Sequence, residues 1–305
     1  ETSVLVWDGW QGNPPDGLAA LSGTLQAGGL LFWLMPPLGS WATFNDPDYV
    51  RTGLDRVELH AFASRMAGVL GADADVIRVR QGHEEAPVLP LVKPVSSTFE
   101  PATTAEQAQL VSQLVRFGLG RRRRPLVVTA DRGRGKSAAL GMAAAELLLA
   151  GRQRVLVTSP SVDNLTSFFR HAAERLGEQL AERREDALVM EGGASIRYLS
   201  VPDLLADKPD AEVVMVDEAA GVPAYWLREV LLGWPRVAFS STVHGYEGTG
   251  RGFAIRFRQV LDRETPHWLS VHVTEPVRWA AGDPLERLVS ALFLLSADSP
   301  KGVPT

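Results

Sequence analysis

The chain has 305 residues, of which 45% are hydrophobic and 22% are charged, a mixture typical of a globular protein rather than a disordered or fibrous one. Lys and Arg number 31 against 36 Asp and Glu, so the net charge of -5 provides no overall positive field, and any nucleic-acid site must be a local patch. The absence of cysteine excludes disulfides, thiol nucleophiles and metal sites with cysteine ligands.

The first predicted elements form a small α/β domain. Apolar runs at residues 4–7 and 30–35 predict two short buried strands, and residues 18–27 between them predict a helix that ends at two glycines. Apolar residues at helical spacing over 54–70 predict a second helix, and residues 76–79 predict a further strand. A strand, a helix and a strand in succession are typical of a βαβ unit.

A proline-rich segment separates this domain from the rest of the chain. Residues 82–101 contain prolines at 87, 90, 94 and 101, and they also contain Ser96, Ser97 and Thr98. This composition is typical of a surface connection rather than of a core element. We therefore predict an N-terminal α/β domain over residues 1–95 and a second domain over residues 96–305.

The second domain alternates predicted strands and helices. A helix over 104–117, with Thr103 or Thr104 as its N-cap, precedes a strand over 126–129, and an Ala-rich helix follows over 137–150. This alternation predicts an α/β fold with a mainly parallel sheet and helices on both faces. Three further apolar strands are predicted at 155–158, 213–216 and 237–240, and a last helix is predicted at 284–295.

The connection after the first strand of the second domain has the sequence of a phosphate-binding loop. Residues 130–137 read ADRGRGKS, which matches the loop pattern except that alanine replaces its first glycine. Gly133 and Gly135 allow backbone N–H groups to face phosphate oxygens. Lys136 would neutralise the β and γ phosphates, and Ser137 would hold Mg²⁺. The alternative is a glycine-rich turn with an exposed lysine.

An acidic pair follows the predicted strand at 213–216. Asp217 would bind Mg²⁺ directly or through water, and Glu218 would orient or deprotonate the attacking water. Because the carboxyl ends of parallel strands share one edge of a sheet, this pair would lie beside the phosphate loop. An acidic pair after a strand is also typical of a helix N-terminus. The presence of the loop favours the nucleotide interpretation.

Two further segments have both a functional and a structural interpretation. Residues 245–252 contain four glycines, typical either of a sensor that couples nucleotide state to a partner or of a flexible surface loop. Arg251 in this segment would be available to phosphate or RNA. Residues 121–124 are four consecutive arginines, which suit either a phosphate backbone or a solvated helix end. The sequence leaves both alternatives open.

Four motifs in combination resemble the bacterial tRNA(Met) cytidine acetyltransferase family, and the resemblance covers nearly the whole chain. The segment LSGTLQAGG at 21–29 also resembles the N-terminal domain of that family. The resemblance implies that the second domain is a RecA-like P-loop ATPase module of the RNA-helicase type. The four motifs are DRGRGKSAALG at 131–141, VVMVDEAAGVPA at 213–224, STVHGYEGTGRGF at 241–253 and EPVRWAAGDPLE at 275–286.

The resemblance also implies substrates and partners. Hydrolysis of ATP or GTP with Mg²⁺ would support acetylation of the wobble cytidine of elongator methionine tRNA by acetyl-CoA. In this family a GNAT domain follows the ATPase module and carries out the transfer, and no acetyl-CoA loop motif occurs before Thr305. The chain also begins at Glu1 without a methionine. We therefore expect a fragment whose last helix leads towards an absent GNAT domain.

Specific nucleotide contacts are carried over from the family by position. Gln107 would contact the base and Arg278 would complete the nucleotide site, whereas a helix-surface glutamine and a salt-bridged arginine are the alternatives. The resemblance further implies that the phosphates are held by Gly133, Arg134, Gly135, Lys136, Ser137, Ala138, Ala139, Leu140, Gly141 and Met142. The expected catalytic residues are Lys136, Asp217, Glu218 and Arg251, and the expected metal ligands are Ser137 and Asp217.

Two other functions fit the same motifs. One is a P-loop ATPase that remodels RNA or protein partners without any link to acetyl transfer, and the other is a nucleotide-binding regulatory domain without turnover. The apolar stretch at 28–38 is too short to cross a bilayer, and no signal peptide precedes it. We therefore expect a cytoplasmic protein without a membrane partner.

Overall fold

The computed structural model describes residues 2–82, 104–131, 133–242, 249–277 and 282–294. The chain divides into two compact units, of which the first comprises Glu1–Ala102 with Trp279–Thr305 and the second comprises Thr103–Arg278. The proline-rich connection predicted over residues 82–101 lies outside the described residues except for residue 82. The predicted domain boundary between residues 95 and 96 also lies outside them. In the described part of the chain, no helix combines the length and the apolar character needed to cross a membrane.

The first unit begins with two parallel strands joined by a helix, as the βαβ pattern predicts. Val6 on the first strand lies opposite Phe32 on the second, and these side chains are 60% and 50% exposed, so the prediction that the two strands are buried is wrong. Trp41 and Met66 are buried in a small apolar core of this unit. Its elements are β1 (Thr2–Asp8), α1 (Pro15–Ser22), β2 (Leu25–Leu34), α2 (Asp48–Thr52) and α3 (Ala61–Ala72).

Three predicted elements of the first unit are wrong in their extent or type. The helix predicted over 18–27 ends at Ser22, because Leu25 already pairs with Thr2 in the sheet. The helix predicted over 54–70 begins only at Ala61, since the apolar side chains at 54, 57 and 59 are exposed and form no buried face. Residues 76–79 pair with no described strand, and Val79 is 75% exposed.

The second unit alternates strands and helices, and each strand and helix predicted for it between residues 104 and 242 is confirmed to within a few residues. Four of the strands are not predicted from the sequence. The elements are α4 (Ala105–Leu119), β3 (Leu126–Ala130), α5 (Lys136–Leu149), β4 (Arg154–Thr158), α6 (Thr166–Leu176), β5 (Leu180–Arg183), β6 (Ala187–Met190), β7 (Ser195–Tyr198), α7 (Val201–Asp207), β8 (Val213–Val216), α8 (Ala224–Gly233), β9 (Val237–Thr242), α9 (Thr249–Glu264) and β10 (Leu269–Val273).

Within the described residues, the strands of the second unit form one sheet in the order β10-β3-β9-β8-β4-β7-β6-β5. The strands from β10 to β7 run parallel, and β6 and β5 extend the sheet in antiparallel pairs. β9 therefore lies between β3 and β8. The carboxyl ends of these three strands meet at one edge of the sheet. The predicted mainly parallel α/β sheet is confirmed.

Two apolar cores cover the two faces of this sheet. On one face, α4, α5 and α6 pack against the strands and fully bury Leu114 and Phe168. On the other face, α7, α8 and α9 bury Leu204 and Phe257. Each such side chain contributes about 1.5–3 kcal/mol through burial. The strand ends are therefore held in fixed positions from both sides.

The last described helix, α10 (Pro284–Phe293), belongs to the first unit. Leu292 is buried in the core of that unit, and Arg65 on α3 donates to backbone carbonyls in the last turn of α10. Arg287 forms an ion pair with Asp73 at 2.6 Å. We expected this helix to end the second domain and to lead away from it. Its apolar stripe instead packs against α3, which places it in the first unit.

Candidate nucleotide site

The loop between β3 and α5 has the backbone conformation of an anion-binding loop. Gly133 and Gly135 have φ angles of +78° and +71°, which lie in the left-handed region that favours glycine. α5 begins at Lys136, and none of the described side chains caps its N-terminus. The helix dipole and the N–H groups of its first turn therefore favour an anion at this position.

Gln107 lies beside this loop and is buried, which differs from a glutamine on an exposed helix surface. Its side chain is 3% exposed, and its Nε2 donates to the carbonyl oxygen of Gly135 at 3.2 Å. The Thr104 hydroxyl caps α4 by accepting from the Gln107 N–H at 3.2 Å. The Val277 N–H donates to the carbonyl of Gly133 at 3.1 Å. Two separate segments thus fix the loop at its two glycines.

A chain of hydrogen bonds joins the loop lysine to the acidic pair. Lys136 Nζ donates to Thr242 Oγ1 at 2.9 Å, and this hydroxyl donates to Glu218, whose carboxylate oxygens are 3.2 and 3.3 Å away. Lys136 is 5% exposed, and its Nζ also lies 3.4 Å from the carbonyl oxygen of Asp131. The phosphate loop, the end of β8 and the end of β9 therefore bring their polar groups together.

Asp217 lies at the end of β8 and is fully buried. Its Oδ1 accepts from the N–H of Glu218 at 3.0 Å, whereas its Oδ2 has no hydrogen-bond partner among the described residues. Burial raises the pKa of Asp217, and the negative charge of Glu218 raises it further, while the Ser137 hydroxyl and the Lys136 charge oppose the rise. A buried carboxylate oxygen without a partner is costly, and a cation would satisfy it.

The backbone of Glu218 is strained. Its φ of +47° is a left-handed value for a residue with a side chain, and such conformations cost about 1–3 kcal/mol. A 3₁₀ turn (Ala219–Gly221) follows directly, and the N–H of Gly221 donates to the carbonyl of Glu218 at 2.9 Å. This conformation accompanies the contact between the Glu218 carboxylate and Thr242.

The oxygen groups around Asp217 fit a magnesium ion. Mg²⁺ binds oxygen ligands, usually one or two from the protein together with nucleotide phosphates and water. Ser240 neighbours Asp217 on the adjacent strand, because Val216 pairs with Phe239, and its buried hydroxyl acts with that of Ser137 to oppose the rise in the pKa of Asp217. No cluster of three His, Asp or Glu side chains in the described ranges forms a metal site by itself. Ser137 and Asp217 therefore suit a metal shared with a nucleotide.

Several residues predicted to hold phosphates have side chains that are buried in the core on the packed faces of α5. A Cβ at Gly141 would lie only 2.1 Å from the carbonyl oxygen of Phe168 on α6, so this glycine permits the close approach of the two helices. The side chains of these residues pack α5, which carries Lys136, into the core of the second unit. The buried residues among them are Ala138, Ala139, Leu140 and Gly141, and Met142 is half-buried.

The structure does not place two predicted side chains. Arg251 lies in the first turn of α9, but its side chain is outside the described part of the structure. Arg278 is outside the described residues altogether. Residues 243–248 of the predicted glycine-rich loop are also outside them, whereas 249–252 are helical rather than loop.

Sequence reasoning missed two groups at this site. Thr242 lies in the motif at 241–253, for which the sequence indicated no role of this residue, and its bridging role depends on the strand order. Glu106 on α4 accepts from the N–H of Thr274 at 2.9 Å and from the N–H of Glu275. Burial acts to raise the pKa of Glu106, but these hydrogen bonds outweigh it and the pKa is lowered. The only indication in the sequence was that Glu106 is an acidic residue in the first turn of a predicted helix.

Two family models match the chain. Residues 127–296 match the model described as RNA cytidine acetyltransferase NAT10/TcmA, helicase domain. Residues 1–81 match the model described as tRNA(Met) cytidine acetyltransferase TmcA, N-terminal. The first match covers more than half of the chain, and it includes the phosphate loop, the acidic pair and Thr242.

Curated relatives carry the same family name. The chain is 39% identical over 310 residues to tRNA(Met) cytidine acetyltransferase TmcA of Nitrosococcus halophilus, covering 97% of this chain and 41% of the relative. The proteins of the same name from Vibrio cholerae and Haloferax volcanii are 35% and 34% identical, covering 99% and 98% of this chain and 39% and 43% of the relatives. The chain thus spans about two fifths of the length of these relatives.

Among solved structures, the large terminase from a thermophilic bacteriophage resembles the chain with a TM-score of 0.42 and 12% identity, covering 56% of this chain and 46% of the terminase. The SWI2/SNF2 ATPase core of Sulfolobus solfataricus does so with a TM-score of 0.34 and 14% identity, covering 56% and 44%. The strand order and the loop conformation define the fold independently of these likenesses.

Proposed function

Because this chain belongs to the RNA cytidine acetyltransferase family described by the NAT10/TcmA helicase-domain model, we propose that it is the ATP-binding and ATP-hydrolysing module of a tRNA(Met) cytidine acetyltransferase. The observation that carries the proposal is the hydrogen-bonded chain from Lys136 through Thr242 to Glu218, beside the buried Asp217. These groups meet next to a loop with left-handed glycines, where nucleotide phosphates would lie.

The residues of the site would have separate roles in hydrolysis. The backbone N–H groups from Gly133 to Ser137 would hold phosphate oxygens, and Lys136 would leave Thr242 to neutralise the β and γ phosphates. Glu218 would accept the proton of the attacking water while Thr242 orients its carboxylate. Ser137 and Asp217 would hold Mg²⁺, which supplies positive charge to the phosphates.

Three further contacts complete the proposed nucleotide site. Gln107 is proposed to contact the base of ATP or GTP, and its buried position beside Gly135 supports a place next to the nucleotide. Arg278 is proposed to complete the phosphate site from the segment after Val277. Arg251 is proposed to contact phosphate or RNA from the start of α9.

Acetyl transfer is proposed for a GNAT domain that acts together with this module. That domain would use acetyl-CoA to acetylate the wobble cytidine of elongator methionine tRNA, and hydrolysis in this module would be coupled to that reaction. The names of the curated relatives support tRNA as the substrate. The module would then need to bind RNA as well as nucleotide.

Binding of a fluorescent ATP analogue to Lys136→Ala tests the nucleotide site. We expect the affinity to fall at least about tenfold, because a charge-assisted contact to phosphate is lost. Arg183→Ala is the matched control, since it removes one exposed positive charge from β5 without touching the loop. Equal affinity of Lys136→Ala and the wild-type protein would overturn the proposal.

A further inference from the structure

Several arginines lie together at the edge of the sheet in the second unit where the parallel strands begin, which we call the amino edge. This edge is opposite the one that carries the phosphate loop. Each of these arginines precedes or begins a parallel strand, and parallel pairing brings these strand starts together. The strands are about five residues long, which separates the two edges by about 17 Å. The cluster comprises Arg121, Arg122, Arg123 and Arg124 before β3, Arg152 and Arg154 at β4, and Arg236 before β9.

The run of four arginines lies in an ordered turn rather than at a solvated helix end. α4 ends at Leu119, and the N–H of Arg123, which has a φ of +61°, donates to the carbonyl of Pro235 at 2.7 Å. The Arg124 Nε donates to the carbonyl of His267 at 3.1 Å. These contacts tie the turn to the segments that precede β9 and β10. All four arginines are nevertheless exposed.

Carboxylates neutralise only part of this cluster. Arg152 pairs with Glu212 at 3.0 Å and Arg154 pairs with Asp210. Arg236 donates instead to the carbonyl of Gly120 at 2.9 Å. Among the described residues, no carboxylate forms an ion pair with the remaining arginines of the cluster, which are Arg121, Arg122, Arg123, Arg124 and Arg236.

Two further observations indicate uncompensated positive charge. Burial lowers the pKa of Arg236, and the positive charges of Arg152 and Arg122 lower it further, against the opposing charge of Glu212. Glu264, the carboxylate at the end of α9, does not neutralise the cluster, because it pairs with Arg228 and Arg263, which lie outside the cluster. A bound polyanion would relieve this repulsion.

The chemistry of the cluster favours phosphates of a nucleic-acid backbone. All of its cations are arginines, and the planar guanidinium donates two parallel hydrogen bonds to one phosphate. The chain as a whole carries a net charge of -5, so the cluster is a local exception and not part of a general positive field. The sequence alone left this run open between a phosphate site and a solvated helix end.

We propose that the arginine cluster at the amino edge of the sheet binds the phosphate backbone of RNA. This inference rests on the proposed function, which requires the module to bind tRNA. Because the cluster lies across the sheet from Lys136, RNA bound there leaves the phosphate loop open to a nucleotide. RNA binding at the cluster and nucleotide binding at the loop are thus separable by mutation.

The double variant Arg121→Gln/Arg122→Gln tests the proposal, because these two side chains make no hydrogen bond recorded in the described structure and their loss leaves the turn intact. Anisotropy of fluorescently labelled methionine tRNA is measured with the full 305-residue chain over a series of KCl concentrations. We expect the Kd to rise about tenfold and the slope of log K against log salt to fall by about two, one for each phosphate contact.

The control Arg183→Gln/Arg184→Gln removes two exposed arginines at the end of β5, the edge strand on the side of the sheet away from β3, and is expected to bind as the wild-type protein does. Unchanged affinity and salt slope in Arg121→Gln/Arg122→Gln would overturn the proposal, and so would an equal loss in the control. Displacement of tRNA by poly-glutamate at equal charge concentration would overturn it as well, since it would indicate a general anion site.

A failure of this inference is distinguishable from a failure of the proposed function. Lys136→Ala is expected to lose nucleotide binding but to retain tRNA binding, and Arg121→Gln/Arg122→Gln is expected to show the reverse. If the wild-type protein hydrolyses ATP and binds no tRNA, the arginine site is overturned while the ATPase assignment stands.

Discussion

Thr242 is the residue at which the polar contacts of the candidate site converge. It lies 106 positions from Lys136 and 24 from Glu218 in the sequence, yet its single hydroxyl contacts both side chains. The hydroxyl accepts from the ammonium group and donates to the carboxylate, so it holds each charged group in a defined place. When Lys136 moves to a phosphate, Thr242 still orients Glu218.

Replacement Thr242→Val removes the hydroxyl while keeping the branched shape of the side chain. We expect the rate of ATP hydrolysis to fall about tenfold to a hundredfold, since Glu218 loses the group that orients it, while ATP affinity changes little. Steady-state phosphate release and binding of an ATP analogue measure the two effects. Thr242→Ser, which retains the hydroxyl, is expected to keep most of the activity. A wild-type rate in Thr242→Val contradicts the bridging role.

The sequence was sufficient to predict Lys136, Asp217 and Glu218 as neighbours, because each follows a buried strand whose carboxyl end faces the same edge. Their hydrogen-bonded connection was not predictable, since it passes through Thr242 on β9 and depends on β9 lying between β3 and β8. The burial of Gln107 was likewise not predictable from the sequence, because the loop that covers it comes from a different part of the chain.

At the scale of elements, the position of the phosphate loop depends on the close packing of α5 against α6. Gly141 lies so near α6 that a Cβ would meet the carbonyl oxygen of Phe168 at 2.1 Å. Since that atom belongs to the backbone of a packed helix, it cannot move aside without shifting α6. The glycine is therefore a packing requirement.

Gly141→Ala is expected to lower the free energy of unfolding by about 1–3 kcal/mol, because the added methyl group forces α5 and α6 apart. Urea denaturation followed by circular dichroism measures the change. Gly233→Ala is the control: this residue ends α8, and a Cβ there meets nothing within 4 Å. Equal stability of Gly141→Ala and the wild-type protein contradicts the packing role.

Glu212 connects the start of β8 to the start of β4. Its carboxylate accepts from the N–H groups of Gln153 and Arg154 and pairs with Arg152. Burial opposes ionisation, but these hydrogen bonds and the Arg152 charge outweigh it, so the pKa of Glu212 is lowered below the ordinary value of 4.5. The ionised form therefore stabilises the folded state above that value, and the stabilisation is lost as the pH falls through the lowered pKa.

Glu212→Gln is accordingly expected to reduce the free energy of unfolding by about 1–2 kcal/mol at neutral pH. The difference from the wild-type protein should shrink as the pH falls below 4.5. Chemical denaturation at a series of pH values measures it, with the exposed Glu185→Gln as the control. A difference that stays constant with pH rules out the ionised carboxylate as its source.

The elements that the sequence predicted well are the strands buried on both faces, such as β3, β8 and β9, since short apolar runs between helices have few alternatives. The errors fall where burial depends on a distant partner. Residues 76–79 have an apolar composition but no described strand to pair with. α10 has a helical apolar stripe, and the sequence did not reveal that α3 covers it.

At the scale of the whole molecule, we propose that the second unit uses the two edges of one sheet for different anions. The carboxyl edge holds the loop, Lys136 and the acidic pair, and the amino edge holds the arginine cluster. The chain spans about two fifths of the length of its curated relatives, and acetyl transfer and its coupling to hydrolysis are proposed for a GNAT domain that acts together with this module.

The most direct measurement is steady-state ATP hydrolysis by this chain, with and without methionine tRNA, in the wild-type protein and in Glu218→Gln. An RNA-coupled ATPase module is expected to hydrolyse ATP, to do so faster with tRNA, and to lose hydrolysis but keep ATP binding in Glu218→Gln. Equal hydrolysis by the wild-type protein and Glu218→Gln, or none by the wild-type protein with tRNA present, would contradict the assignment of this site as the centre of an ATPase.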